Sequence, residues 1–372
     1  MYKNFILPAS ILAGTVIGAG MFSLPFVFKE AGLMTSLFYL GIFGLTFIFI
    51  YFLYADLILR TSGDHRFVGY AKLYLGDGGF WAALLIGLVQ LFFVLTIYLI
   101  LAPSFSKLFI SDGYLYHLLG FWLIGSIAIL FDTRRVALTE FLIVGGMVAI
   151  IVLIFGFGSQ NIFSINLGDV DISKFLVAGP ILFALSGSLA VPEVVSYFRE
   201  SKIPLSYLKQ SLVLGGFLPI IAYIMLVLGI WGSSPVVSED AVSGLIGQVP
   251  MSVLSLMGIL GFLSLISSYI VVGLNTRRIL EYDLNFSKWL SRILVIVMPL
   301  ALYFAGLKSF IDLVSFIGLI FMPIESIFII FMWLGANKKS EMPSMLVGRA
   351  VRSGIPILLL LFISVIIYVI IK

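Results

Sequence analysis

Gly14-Thr15-Val16-Ile17-Gly18-Ala19-Gly20-Met21 sets three glycines close together inside the first long apolar run, which extends from Phe5 to Phe28. Each interior glycine costs a helix about 1 kcal/mol relative to alanine, so this density marks a helix built to open. An opened helix at mid-bilayer frees backbone N–H and C=O groups, and lipid tolerates these only where they line a cavity or meet a ligand. The run is long enough to cross a bilayer and reaches Pro25 rather than a small-residue cleavage site. It therefore reads as a membrane span and not as a signal peptide.

Composition around this stretch agrees. Hydrophobic residues make up 61% of the 372 and charged residues 11%, with mean hydropathy +1.19, against about 25% charged in soluble proteins. With no cysteine and two histidines, the chain has no disulfide framework, no thiolate nucleophile and little capacity for metal ligation. The net charge of +4 comes without a basic arm or RNA motif, so no nucleic-acid partner is expected. The sequence leaves the oligomeric state open.

A hydropathy window of about 19 residues divides the chain into eleven spans, near 6–26, 33–58, 80–106, 117–131, 136–157, 174–198, 211–232, 252–275, 288–306, 310–334 and 354–371. With the N-terminus inside, only Lys29, Lys107, Lys174, Lys308 and Lys372 of the 22 basic residues fall on the outer face or at outer helix ends. The outer loops instead carry Asp169, Asp171, Glu239 and Asp240. That asymmetry predicts a cytoplasmic N-terminus in a plasma or inner membrane. The loop from Thr61 to Gly79, with Arg66, Tyr70 and Lys72, predicts a short amphipathic helix along the inner surface.

Span 6 carries a second interruption, Gly179-Pro180-Ile181-Leu182-Phe183-Ala184-Leu185-Ser186-Gly187-Ser188-Leu189-Ala190-Val191-Pro192. Spans 1 and 6 are five apart, and an odd offset reverses their direction across the membrane. Paired interrupted helices in inverted repeats are the architecture of many secondary transporters. One transmembrane domain over residues 1–372 follows, with spans 1–5 within 6–157, spans 6–10 within 174–334 and an added span 11.

GTVIGAGMFSLP, residues 14–25, resembles the signature of the hydroxy/aromatic amino acid permeases, within the amino acid–polyamine–organocation superfamily. Weaker matches follow in order: Tyr54-Ala55-Asp56, Tyr70-Ala71-Lys72-Leu73-Tyr74-Leu75-Gly76, Val191-Pro192, Ser267-Ser268-Tyr269, and Gly318 with Pro323. The chain departs from that family at Ser188, where these permeases often carry histidine, and at Glu193. The resemblance implies an all-α membrane protein of the leucine-transporter fold, a 5+5 inverted repeat with helices 1 and 6 interrupted and an eleventh helix appended.

The chemistry such breaks offer is recognition of a zwitterion. Freed N–H groups at the start of the outgoing half-helix attract a carboxylate, which points to Ala19 and Gly20. By resemblance, the carbonyls of Val16, Phe183 and Ala184 accept the substrate ammonium, the Ser186 hydroxyl adds an acceptor, and Tyr98 lines the site. The competing reading is that these glycines only let helices pack closely. On the binding reading, Gly20→Leu removes binding and leaves the fold intact.

Two coupling ions are open. The sodium-dependent branches of the superfamily imply a cation between carbonyls of Gly14 and Ile17 and hydroxyls of Ser267 and Ser268; alternatively those serines bond to their own helix four residues back. Span 5 has no lysine to replace sodium with a fixed ammonium. Proton coupling needs a membrane-depth carboxylate, and Asp56, Glu193 and Glu325 qualify. Each has a structural alternative: Asp56 pairs with Arg60, Glu193 with Arg199, and Glu325 satisfies backbone freed by Pro323.

An embedded enzyme would need a metal or nucleophile constellation. His65 and His117 lie in or near loops on opposite sides, and neither an H-E-x-x-H pattern nor a nucleotide-binding loop is present. A channel favours a repeated pore ring. The expectation is therefore a cofactor-free amino acid carrier in lipid, coupled to H+ or Na+, with uncoupled transport or exchange as the alternative. In it, spans 1, 2, 6 and 7 rock against 3, 4, 8 and 9.

Overall fold

The computed structural model describes residues 5–63, 65–110, 113–130, 137–164, 167–201, 203–339 and 342–371. Among them the regular elements are helical. In chain order they are α1 (Leu7–Val16), α2 (Leu24–Ala31), α3 (Leu33–Leu59), α4 (Phe67–Ser106), α5 (Tyr114–Leu130), α6 (Ala137–Gly158) and α7 (Ala178–Ala184). Then come α8 (Val191–Ser201), α9 (Leu205–Ser233), α10 (Met251–Arg278), α11 (Lys288–Phe304), α12 (Phe310–Phe316), α13 (Met322–Lys339) and α14 (Arg349–Ile371).

Among the described residues, eight helices, or helical stretches running through a short break, are long and apolar enough to cross a membrane, and α1 with the segment Ala19–Ala31 makes a ninth bent by 48°. Spans 4 and 9 appear as α5 and α11, each 17 residues. At 1.5 Å per residue that is near the lower limit for a bilayer. The boundaries near 131 and 136, and the basic residues Lys3, Arg134, Arg135, Lys202 and Lys372, lie outside the described residues.

Helix α4 is two helices joined at Gly76, the surface helix expected before span 3 and the span itself. The amphipathic segment from Phe67 breaks from the span at Gly76, whose φ of 78° is a positive value that glycine adopts without steric cost. The bundle then packs by close backbone approach. A methyl group on Gly158, Gly232 or Gly318 would overlap backbone of Gly229, Gly158 and Gly179 respectively, the small-residue contact by which membrane helices associate without a hydrophobic drive. Helix α9 packs most extensively against α6 and α1, and α4 against α10, α13 and α11. The extramembrane loop after α9 is tied by Asp240. Burial opposes its charge, but hydrogen bonds from Ser238, Ser243 and Ser104 and from the Ser243 amide hold its carboxyl below the usual range.

Asp56 is fully buried near the end of α3. It accepts from the Trp333 indole (2.8 Å) and from the amides of Met345 (2.8 Å) and Leu346 (2.9 Å), with the Arg60 guanidinium 3.6 Å away. Arg60 continues to Asn337 and to the carbonyls of Ala336 and Met342. This network ties α3 to α13 and to the segment leading into α14. Removing the carboxylate leaves a buried guanidinium and three donors short of an acceptor. We expect Asp56→Ala to lower stability by about 3–5 kcal/mol, read as a lower thermal midpoint in detergent.

Candidate functional site

Helix α1 stops because its ladder closes on itself. The Ile17 amide bonds to Ala13 (2.8 Å), but the Gly18 amide turns back to Val16 (2.8 Å), and Gly18 is extended at φ −127°, ψ −158°. The Gly14 carbonyl thereby loses the partner a continuing helix would give it. The chain restarts as a 3-10 turn, Ala19–Ser23, whose first bond runs from the Met21 amide to the Gly18 carbonyl (3.2 Å). The amides of Ala19 and Gly20 therefore open the outgoing half, where N–H groups are not consumed by the helix.

The second interruption follows the same logic. Helix α7 ends at Ala184, the Ser186 amide closes on the Phe183 carbonyl (3.1 Å), and a short 3-10 turn, Ser188–Ala190, leads into α8. The two breaks touch. A Cβ on Gly20 would lie 2.8 Å from the Ala184 Cα and 2.9 Å from the Phe183 ring, and one on Gly187 would overlap the Val16 side chain and come 2.8 Å from the Tyr51 hydroxyl.

Two buried tyrosines complete the junction. Tyr223 of α9 places its hydroxyl 2.6 Å from the Val16 carbonyl oxygen and 2.7 Å from that of Ala184. Tyr51 of α3 donates to the Leu185 carbonyl. Of the residues the sequence points to, Val16, Ala19, Gly20, Phe183 and Ala184 thus meet at one place, with Ser186 in the gap between α7 and the following turn. Tyr98 is buried on α4 and faces Ser268 of α10.

Gly14 lies in α1, which packs along α9, with Ile17 just past its end, and Ser267 and Ser268 lie in α10, which packs along α4. Glu193 is exposed on α8 and faces Arg66, while Arg199 instead donates to the carbonyls of Ile58 and Thr61. Asp56 is held in the network described above. Glu325 stands inside the bundle, at the start of α13 just past a π turn, Ile317–Phe321. Gln90 of α4 donates to its Oε2 at 3.3 Å, the Ser188 hydroxyl of the second break lies beside it, and its side chain is only half-buried. Its contacts are therefore side chains of α4 and of the second break.

Sequence reasoning missed Tyr223, Tyr51 and Gln90. Gln90 had a signal: it is a lone amide in Ile86-Gly87-Leu88-Val89-Gln90-Leu91-Phe92, and a polar group at membrane depth is a functional suspect. Tyr223 and Tyr51 had none beyond being tyrosines in apolar spans.

The family model for the tryptophan/tyrosine permease family matches residues 1–372. The fold is similar to that of MhsT in complex with L-phenylalanine, at 17% identity and TM-score 0.70, covering 98% of each chain. It is also similar to Mhp1, a nucleobase-cation-symport-1 family transporter, in a closed conformation with bromovinylhydantoin bound (12% identity, TM-score 0.64, 97% of this chain and 91% of that one). The inward-facing conformation of Mhp1 matches at 14% identity and TM-score 0.61, covering 97% and 90%. No curated protein matches the sequence. The likeness establishes the leucine-transporter-like architecture, a 5+5 inverted repeat with helices 1 and 6 interrupted and an eleventh helix appended.

Proposed function

The chain belongs to the tryptophan/tyrosine permease family and is a secondary transporter of amino acids, and from that premise we propose that it imports an aromatic amino acid by proton symport through alternating access. The observation that carries this reading is the meeting of two helix interruptions at the Tyr223 hydroxyl. Amides of Ala19 and Gly20 receive the substrate carboxylate, carbonyls of Val16, Phe183 and Ala184 with the Ser186 hydroxyl receive its ammonium, and Tyr98 lines the side-chain pocket.

Packing supports two moving bodies. Helix α9 holds α1 and α3, whereas α4 holds α5, α10 and α11, which are the groups expected to rock against each other. Excess basic residue on one face supports a cytoplasmic N-terminus in the plasma membrane. Glu325 is the coupling group on this reading, because it is an intramembrane carboxylate that touches the second break through Ser188.

The test is uptake of L-tyrosine and L-tryptophan into proteoliposomes under one imposed gradient at a time. A pH gradient, acid outside, is expected to drive accumulation, and a sodium gradient at uniform pH is not. Accumulation driven by sodium alone would move the coupling site to Gly14, Ile17, Ser267 and Ser268. Counterflow with no accumulation under either gradient would make the protein an exchanger.

A further inference from the structure

Tyr223 is fully buried on α9, and two carbonyl oxygens from different broken spans converge on its hydroxyl, Val16 at 2.6 Å and Ala184 at 2.7 Å. A phenol has one proton to give. Only one of these oxygens receives it at a time, and the other then faces a phenolic lone pair at hydrogen-bond distance with no hydrogen between them. The Ala184 carbonyl ends α7, where the chain leaves the helix before a fourth amide can return to it. It depends on Tyr223. The Val16 carbonyl already takes the Gly18 amide and is held against the phenol in addition. Tyr51 gives its proton to the neighbouring Leu185 carbonyl and so adds no spare donor.

We propose that Tyr223 is a positioning residue that makes this site select a primary ammonium. It aims the Val16 and Ala184 carbonyls at one point while leaving that point a proton short. An incoming –NH3+ carries three donors. It donates to the Val16 carbonyl and to the phenolic oxygen, and the phenol gives its own proton to Ala184. A group without N–H donors, such as a hydrocarbon end or a quaternary ammonium, cannot complete this arrangement. The inference rests on the amino acid reading of the site and adds to it a residue of span 7 and a reason for discrimination by proton count.

The experiment measures equilibrium binding to the full-length protein in detergent for three probes: L-tyrosine, its N,N,N-trimethyl derivative, and 3-(4-hydroxyphenyl)propionate, which lacks nitrogen. In the wild type, L-tyrosine is expected to bind at least ~10-fold more tightly than either analogue, a factor worth about 1.4 kcal/mol. In Tyr223→Phe, which removes one oxygen from a buried ring, L-tyrosine is expected to weaken ~10-fold while the propionate stays within ~2-fold. Equal weakening of both probes would show a merely structural role and overturn the proposal, as would unchanged L-tyrosine binding. The wild-type arm stands if the variant fails to fold, because trimethyl-tyrosine binding as well as L-tyrosine also overturns it. Failure of the underlying reading looks different: the wild type then binds no L-tyrosine at all, and the inference falls with it.

Discussion

Glu325→Gln is expected to abolish proton-driven accumulation of substrate while leaving counterflow of the same substrate near the wild-type rate. One symported proton can support about tenfold accumulation for each unit of pH gradient, since one unit is worth about 1.36 kcal/mol. A membrane potential adds about 2.3 kcal/mol per 100 mV for the charge carried. If Glu325 is where that proton rides, the accumulation ratio in the variant falls to one. Glutamine has the shape of protonated glutamic acid and can keep the contacts with Gln90 and Ser188, so the second break should remain in place and both substrate-loaded conformations should stay accessible. Counterflow needs only those. The measurement is paired uptake in proteoliposomes, under an imposed pH gradient and then under substrate exchange without one. Loss of both activities would make Glu325 a structural strut for the break. Retention of both would place coupling elsewhere, with Glu193 as the remaining carboxylate not committed to a structural network.

The interruptions themselves were readable because glycine density is a local property, and a helix that opens does so over a few consecutive residues. What each polar group does once the helix opens is not local. Asp56 and Glu325 give the same signal in sequence, a carboxylate within an apolar run. Asp56 is closed off by an indole and two amides from positions 333 to 346, far along the chain, whereas Glu325 meets single contacts from α4 and the second break. No pattern near either residue separates the two cases. The surroundings of the cation candidates are likewise set by packing that no local pattern fixes: Gly14 and Ile17 stand in and just past a helix that packs on α9, and Ser268 faces Tyr98. The surface helix before span 3 was legible as a polar segment flanking an apolar run, and the structure ends it at one positive φ, at Gly76.

The two readings of the glycines in GTVIGAG, binding and close packing, are separated by substituting alanine at two of them. Gly18 is the residue at the break, yet a Cβ there would meet nothing nearer than the Thr15 carbonyl oxygen at 3.7 Å, and its extended backbone suits any residue. Gly18→Ala is expected to bind L-tyrosine within ~2-fold of wild type, a difference of a few tenths of a kcal/mol. At Gly20 the methyl group would sit 2.8 Å from the Ala184 Cα and 3.2 Å from its Cβ. Backbone cannot rotate away, so the turn Ala19–Ser23 and α7 must separate. Overpacking of this kind costs about 1–3 kcal/mol, against about 1 kcal/mol that alanine gains over glycine in a helix. The separation also pulls the Ala19 and Gly20 amides away from the Val16 and Ala184 carbonyls, which the substrate must bridge together. Gly20→Ala is therefore expected to lose at least ~10-fold in L-tyrosine affinity and to melt at lower temperature. Gly20→Leu should be worse on both counts, because its longer side chain has no room beside Phe183. Binding is lost at Gly20 through packing, so affinity and thermal midpoint should fall together across alanine and leucine. A Gly20→Leu protein that melts like wild type but does not bind would mean that the two breaks are not in contact.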